Sequence, residues 1–167
     1  MHKTKVKYPK GAFGKDLKQI AELMTADADI KIYYANLGGF DTHVGQKNKQ
    51  TRLLKTYSDA MSIFVKDLKN NGLLDDTLIM TFSEFGRRVQ QNASGGTDHG
   101  TANNVFLIGG NLKKKGFYNA AADLKKLEKG DLIYQMDFRK IYATILEDWL
   151  EASPTKILGK QFEKIII

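Results

Sequence analysis

Apolar residues along the chain fall into helical repeats and short continuous runs. Leu17, Ile20, Ala21, Leu23 and Met24 gather near one face of a helix expected over residues 14–27. A longer series, Leu53, Leu54, Tyr57, Ala60, Met61, Phe64, Val65 and Leu68, keeps an i, i+3, i+4 rhythm and stops at Gly72. That predicts a long helix over residues 46–71. Phe138, Ile141, Tyr142, Ile145, Leu146, Trp149 and Leu150 hold the same spacing, which predicts a third helix over 137–152, capped by Asp137 and ended by Pro154. A stripe of this kind reads as core rather than as a cofactor pocket.

The continuous runs read as strands. Residues 30–37, stopped by Gly38-Gly39, and residues 78–82 flank the long helix, so together they predict a βαβ unit with parallel strands and a right-handed crossover. Residues 85–104 are rich in Gly, Ser, Asn and Thr and show no crossover helix. The short run 105–108 is therefore expected to return antiparallel to 78–82. A lysine-rich, loop-like stretch covers 113–130, with a short turn near 120–127, and residues 162–167 suggest a last strand. With no internal repeat or linker, the expectation is one α/β domain over residues 1–167, a mostly parallel sheet flanked by helices. In such sheets ligands sit beyond the carboxyl ends of the strands, where FDTH and SEFGRR fall.

Composition narrows the function classes. A chain of 167 residues is long enough to bury a core, and its 42% apolar and 27% charged content is that of a globular protein. No apolar run approaches the length of a membrane span, and the polar start has no apolar stretch of a secretory signal. The absence of cysteine excludes disulfides, thiolate metal sites and cysteine nucleophiles. Any metal must use His, Asp and Glu. Of the 26 basic residues 22 are lysines spread along the whole chain without a nucleic-acid motif, so the net charge of +7 does not point to nucleic acid.

Three short motifs carry candidate chemistry. Asp41 and His43 are two residues apart, so in an extended segment both side chains point to one side and make a chelating pair for a divalent ion. Alternatively, Asp41 or Thr42 caps the following helix and His43 is a surface residue. Asp98-His99, flanked by Gly95-Gly96 and Gly100, is either a second pair open to an ion or a polar turn. Glu84 can ligate metal and Arg87 can grip a tetrahedral oxyanion bidentately, or the two form a surface ion pair. The topology expected above sets all three motifs on one sheet edge, which favours a site.

FDTH, TFSEFGRR and GTDHGTA, in this order and with the later DFR, YATIL and WL segments, resemble the bacterial family called domain of unknown function 1501. The resemblance runs from about Tyr8 to the C-terminus. It implies membership of the alkaline phosphatase and sulfatase-like superfamily and an α/β sandwich, of which this chain would be the C-terminal part. It further implies a divalent metal, zinc by preference, and phosphate- or sulfate-ester hydrolysis. Asp41 and His43 match the superfamily's Asp and His pair and His99 its late His, with Glu84 or Asp98 completing the shell and Arg87 on the oxyanion. Ser83-Glu84-Phe85-Gly86 stands where Ser-Asp-His-Gly is usual, so a two-zinc site is not expected. The superfamily's nucleophile belongs to a preceding half.

A small ester or a glycan is the expected substrate class, and export to the periplasm is the family's usual location. A truncated sheet is expected to expose an edge through which chains associate. The competing expectation is a non-catalytic relative that uses the same polar cluster for structure or binding.

Overall fold

The computed structural model describes residues 4–167, and the chain forms two compact units, each assembled from several segments. The first contains residues up to Thr81, Gln90–Asp98 and Phe106–Asn111; the second contains Phe82–Val89, His99–Val105 and Leu112–Ile167.

In the first unit the helical repeats fold as their spacing dictates. Helix α1, Ala12–Thr25, buries Phe13, Leu17 and Ala21, and α2, Gln46–Asn70, buries Ala60, Met61, Phe64 and Leu68 against them. Fully buried Ala21 and Ala60 let the two backbones approach closely. Gly72 ends α2 in the left-handed region at φ 71°, and the Leu73 N–H returns to the Leu68 carbonyl, the Schellman closure that glycine favours. Asp67, 2% exposed, brings a carboxylate into this core. Tyr8 Oη, Thr4 Oγ1 and Asn71 Nδ2 donate to it at 2.9, 2.6 and 3.2 Å, so its lone pairs are satisfied.

Strand β1, Leu78–Thr81, pairs antiparallel with β4, Phe106–Gly109, in the register Leu78 to Gly109 through Thr81 to Phe106. This agrees with the antiparallel return expected from the missing crossover. Tyr57 of α2 ties the sheet to the helix layer through a 2.8 Å hydroxyl contact with Thr81.

Residues 30–37 do not form the expected strand, and the parallel βαβ sheet is absent among the described residues. The segment is extended, with Ala35 and Leu37 packed on the core and Ile32 and Tyr34 facing out at 68% and 76% exposure. It has the alternation of a strand. What it lacks is a neighbour: residues 31–39 make no backbone hydrogen bond in the described structure. The sheets present are small and antiparallel, within a mixed helix and strand fold.

Residues 85–104 are more regular than their composition suggested. Strands β2, Gly86–Gln91, and β3, Thr97–Gly100, pair as a hairpin around a Gly-rich turn. Low apolar content hid it, because neither strand carries an alternating apolar face.

The second unit contains the hairpin base, a small antiparallel pair formed by β5, Leu127–Glu128, and β6, Asp131–Leu132, and the C-terminal helices. Helix α3, Phe138–Thr144, starts at Asp137, whose carboxylate accepts from the Arg139 N–H at 3.0 Å, as a cap should. The helix then widens into a π-helical turn, Ile145–Trp149, and Glu151 adopts a positive φ. Pro154 does not end this helix. It opens α4, Pro154–Leu158, where its fixed φ and missing N–H suit the first turn. Residues 162–167 form no strand either: side-chain contacts hold them, with the Ile165 N–H on Thr144 Oγ1 and Lys164 on Glu147 and Asp148.

Candidate metal centre

Asp41 and His43 share one side of the chain, while Thr42 between them is 1% exposed. His43 Nε2 lies 2.9 Å from Asp41 Oδ1. On the other side of the ring, Nδ1 lies 3.5 Å from Asp98 Oδ1. All three side chains are open to solvent. A carboxylate beside an imidazole offers one oxygen and one nitrogen donor, types that divalent ions accept.

The helix-cap alternative for Asp41 and Thr42 does not hold. Helix α2 begins after Gly45 with no side-chain cap, because the Gly45 and Gln46 N–H groups donate to the carbonyls of Ser94 and Gly95 at 3.1 and 2.9 Å. Gln50 Nε2 instead reaches Thr42 Oγ1 at 3.4 Å.

What brings Asp98 to His43 is the hairpin tip, and its key residues are ones the sequence reading passed over. Asn92 Oδ1 accepts from the N–H groups of Ser94 and Gly96, both at 3.0 Å, which closes the turn. Its Nδ2 donates to the His43 carbonyl at 3.0 Å. Gly96 rests against that carbonyl so closely that a Cβ would lie 2.2 Å from the His43 oxygen. Thr97 Oγ1 completes the seam with a 3.0 Å bond to Gln46 Oε1. The signal was available in Asn92 and Gly95-Gly96, a turn sequence read only as loop.

The other predicted residues belong to the second unit. Phe85 and His99 stack face to face, their centroids 3.9 Å apart and planes 4° from parallel, and Arg87 Cζ lies 5.0 Å from the centre of the Phe85 ring. The ring of Phe85 thus takes up a face of His99 and attracts the Arg87 cation. Asn103 Nδ2 donates to the Phe85 carbonyl at 2.7 Å, and Asp131 Oδ2 accepts from the Thr101 N–H at 2.9 Å, anchoring the segments on either side. Glu84 is exposed.

Residues 3–150 match the family model described as protein of unknown function (DUF1501). The chain belongs to the DUF1501 family. No curated protein and no solved structure matches this DUF1501 chain. Among its described residues no helix is long and apolar enough to cross a membrane.

Proposed function

We propose that this DUF1501 protein is a metal-dependent hydrolase-like domain of the alkaline phosphatase and sulfatase-like superfamily, with phosphate or sulfate esters as its substrate class. The observation that carries the reading is the contact of Asp41 with His43 at 2.9 Å, a carboxylate and an imidazole side by side in solvent. A hard carboxylate oxygen and an imidazole nitrogen are donors that suit a divalent ion, zinc in particular. Asp41, His43 and His99 would hold it, with Glu84 or Asp98 completing the shell. The assignment of Glu84 and Asp98 follows the family's sequence pattern, as does that of Arg87 as the oxyanion grip.

When bound, the ion supplies positive charge that polarises an ester oxygen or lowers the pKa of its water. The chain's own contribution is placement. Asn92 and Gly96 fix the His43 carbonyl, so this segment of backbone is held in place beside the pair.

Phe85 favours a second reading, a non-catalytic relative that binds or organises a partner. It stands where the superfamily has a metal-binding histidine, and it is stacked on His99. Hydrolysis of an aryl phosphate and an aryl sulfate by full-length protein, with and without added zinc, separates the two. Zinc-dependent turnover that vanishes in His43→Ala supports the hydrolase. Retained zinc without turnover supports the binding module.

A further inference from the structure

The most exposed large apolar side chain among the described residues lies far along the chain from the metal centre: Phe117, at 93% exposure. It follows Lys113-Lys114-Lys115 and Gly116, whose φ of 91° makes the turn. Tyr118 closes that turn from the other side. Its hydroxyl donates to the Lys114 carbonyl at 2.9 Å, and the Lys114 ammonium lies 5.0 Å from the centre of its ring. One aromatic is used to hold the turn and its neighbour is left in water.

The charge around Phe117 is equally uncompensated. Residues 112–130 contain Lys113, Lys114, Lys115, Lys125, Lys126 and Lys129 against Asp123 and Glu128, a net +4 in nineteen residues of a chain whose total is +7. All six lysines are exposed, and none forms an ion pair among the described residues. Leu124, also exposed, adds a second apolar side chain to the same segment.

We propose that this loop docks the protein on an anionic phospholipid surface. Lysines are mobile point charges that gain from a diffuse negative headgroup layer without needing a shaped partner. A single phenylalanine at the tip of a closed turn suits insertion at the headgroup boundary, where its ring leaves water while the backbone stays hydrated. Single-stranded nucleic acid would use the same charges, yet it is served best by a flat stacking platform and by arginine forks. The loop contains no arginine, and its second aromatic is engaged by Lys114. This inference is independent of the hydrolase reading, since no metal-centre residue takes part.

Cosedimentation of the full chain with vesicles tests it. The expected result is binding to vesicles of phosphatidylcholine and phosphatidylglycerol in equal parts, weakened by salt, and none to pure phosphatidylcholine. Each of the three adjacent lysines lost should lower partitioning about fivefold, so Lys113→Ala/Lys114→Ala/Lys115→Ala loses on the order of a hundredfold. Phe117→Ser should weaken binding at unchanged charge. A variant with Lys47→Ala, Lys49→Ala and Lys66→Ala on α2, equal in net charge to the loop triple, should bind nearly as the parent does. Equal loss in both triples would overturn the proposal, as would unchanged binding of Phe117→Ser. Binding to a single-stranded oligonucleotide without vesicle binding would replace lipid by nucleic acid.

Discussion

The His43 ring stands between Asp41 and Asp98, 2.9 Å from one carboxylate and 3.5 Å from the other. Asp41 reaches it from two residues back in the chain. Asp98 reaches it only because the hairpin tip at residues 92–96 is pinned to the chain ahead of α2.

That pinning should be sensitive to single atoms. Gly96→Ala forces a methyl group to within 2.2 Å of the His43 carbonyl oxygen, against backbone that cannot move without breaking the Asn92 contact. A loss of about 2 kcal/mol or more is expected in urea unfolding. Asn92→Ala, which removes one acceptor and one donor, should cost roughly 1–2 kcal/mol. If Gly96→Ala leaves the urea midpoint unchanged, the close approach is not a feature of the molecule in solution.

Asp67 gives a second test, in the α1–α2 core. Its carboxylate accepts from Tyr8, Thr4 and Asn71, so Asp67→Ala leaves the Tyr8 hydroxyl buried and unpaired at a cost of about 2–4 kcal/mol. Burial first, then the hydrogen bond to Asp67 and its charge, pushes the Tyr8 ionisation upward from its ordinary 10.0. The folded state keeps this proton where the unfolded chain releases it, so stability should be full below pH 10 and fall as pH rises above it. Tyr8→Phe should flatten that alkaline loss in thermal melts taken across the same range. A loss of equal steepness in both proteins would place its origin elsewhere.

At the start of α3 the acid side is diagnostic. The Arg139 guanidinium beside Asp137 holds its carboxyl down at about 2, aided by the bond from the Arg139 N–H. A lowered folded pKa gives stability above the ordinary 3.8 that is lost as pH falls towards 2. After solvent screening the contribution is on the order of 1 kcal/mol, and Asp137→Ala should remove it along with the cap. Melts of the variant and parent should converge near pH 2; a constant gap down to that pH would contradict the assignment.

Residues 31–39 predict association. Ile32 and Tyr34 project from an extended segment whose backbone makes no hydrogen bond in the described structure, a ready template for another strand. Sedimentation should show concentration-dependent oligomers, reduced in Ile32→Lys/Tyr34→Lys. A monodisperse parent at high concentration would rule this out.

The two long helical repeats were legible because their packing is decided by one apolar face each, as Leu17 and Ala21 meet Ala60 and Phe64. The antiparallel return to β1 was legible from connection length alone. Strand status for 30–37 was not, since alternation fixes a conformation but a ladder needs a second strand, which no property of Ile32 or Tyr34 supplies. Pro154 misled because proline stops a helix at one position and starts one at another. For the site, Asp41 and His43 could be paired by their spacing. Asp98 joined them through Asn92 and Gly96, whose roles lie in backbone contacts that a list of ligand types does not reveal.

Equilibrium dialysis against zinc is the most direct test of the proposed metal centre. One zinc should bind to the parent chain, with affinity about tenfold or more weaker in His43→Ala and in Asp41→Asn, at unchanged melting temperature in the absence of metal. His99→Ala, measured alongside, decides whether that residue is a donor. Equal zinc binding by the parent, His43→Ala and Asp41→Asn would contradict the central claim.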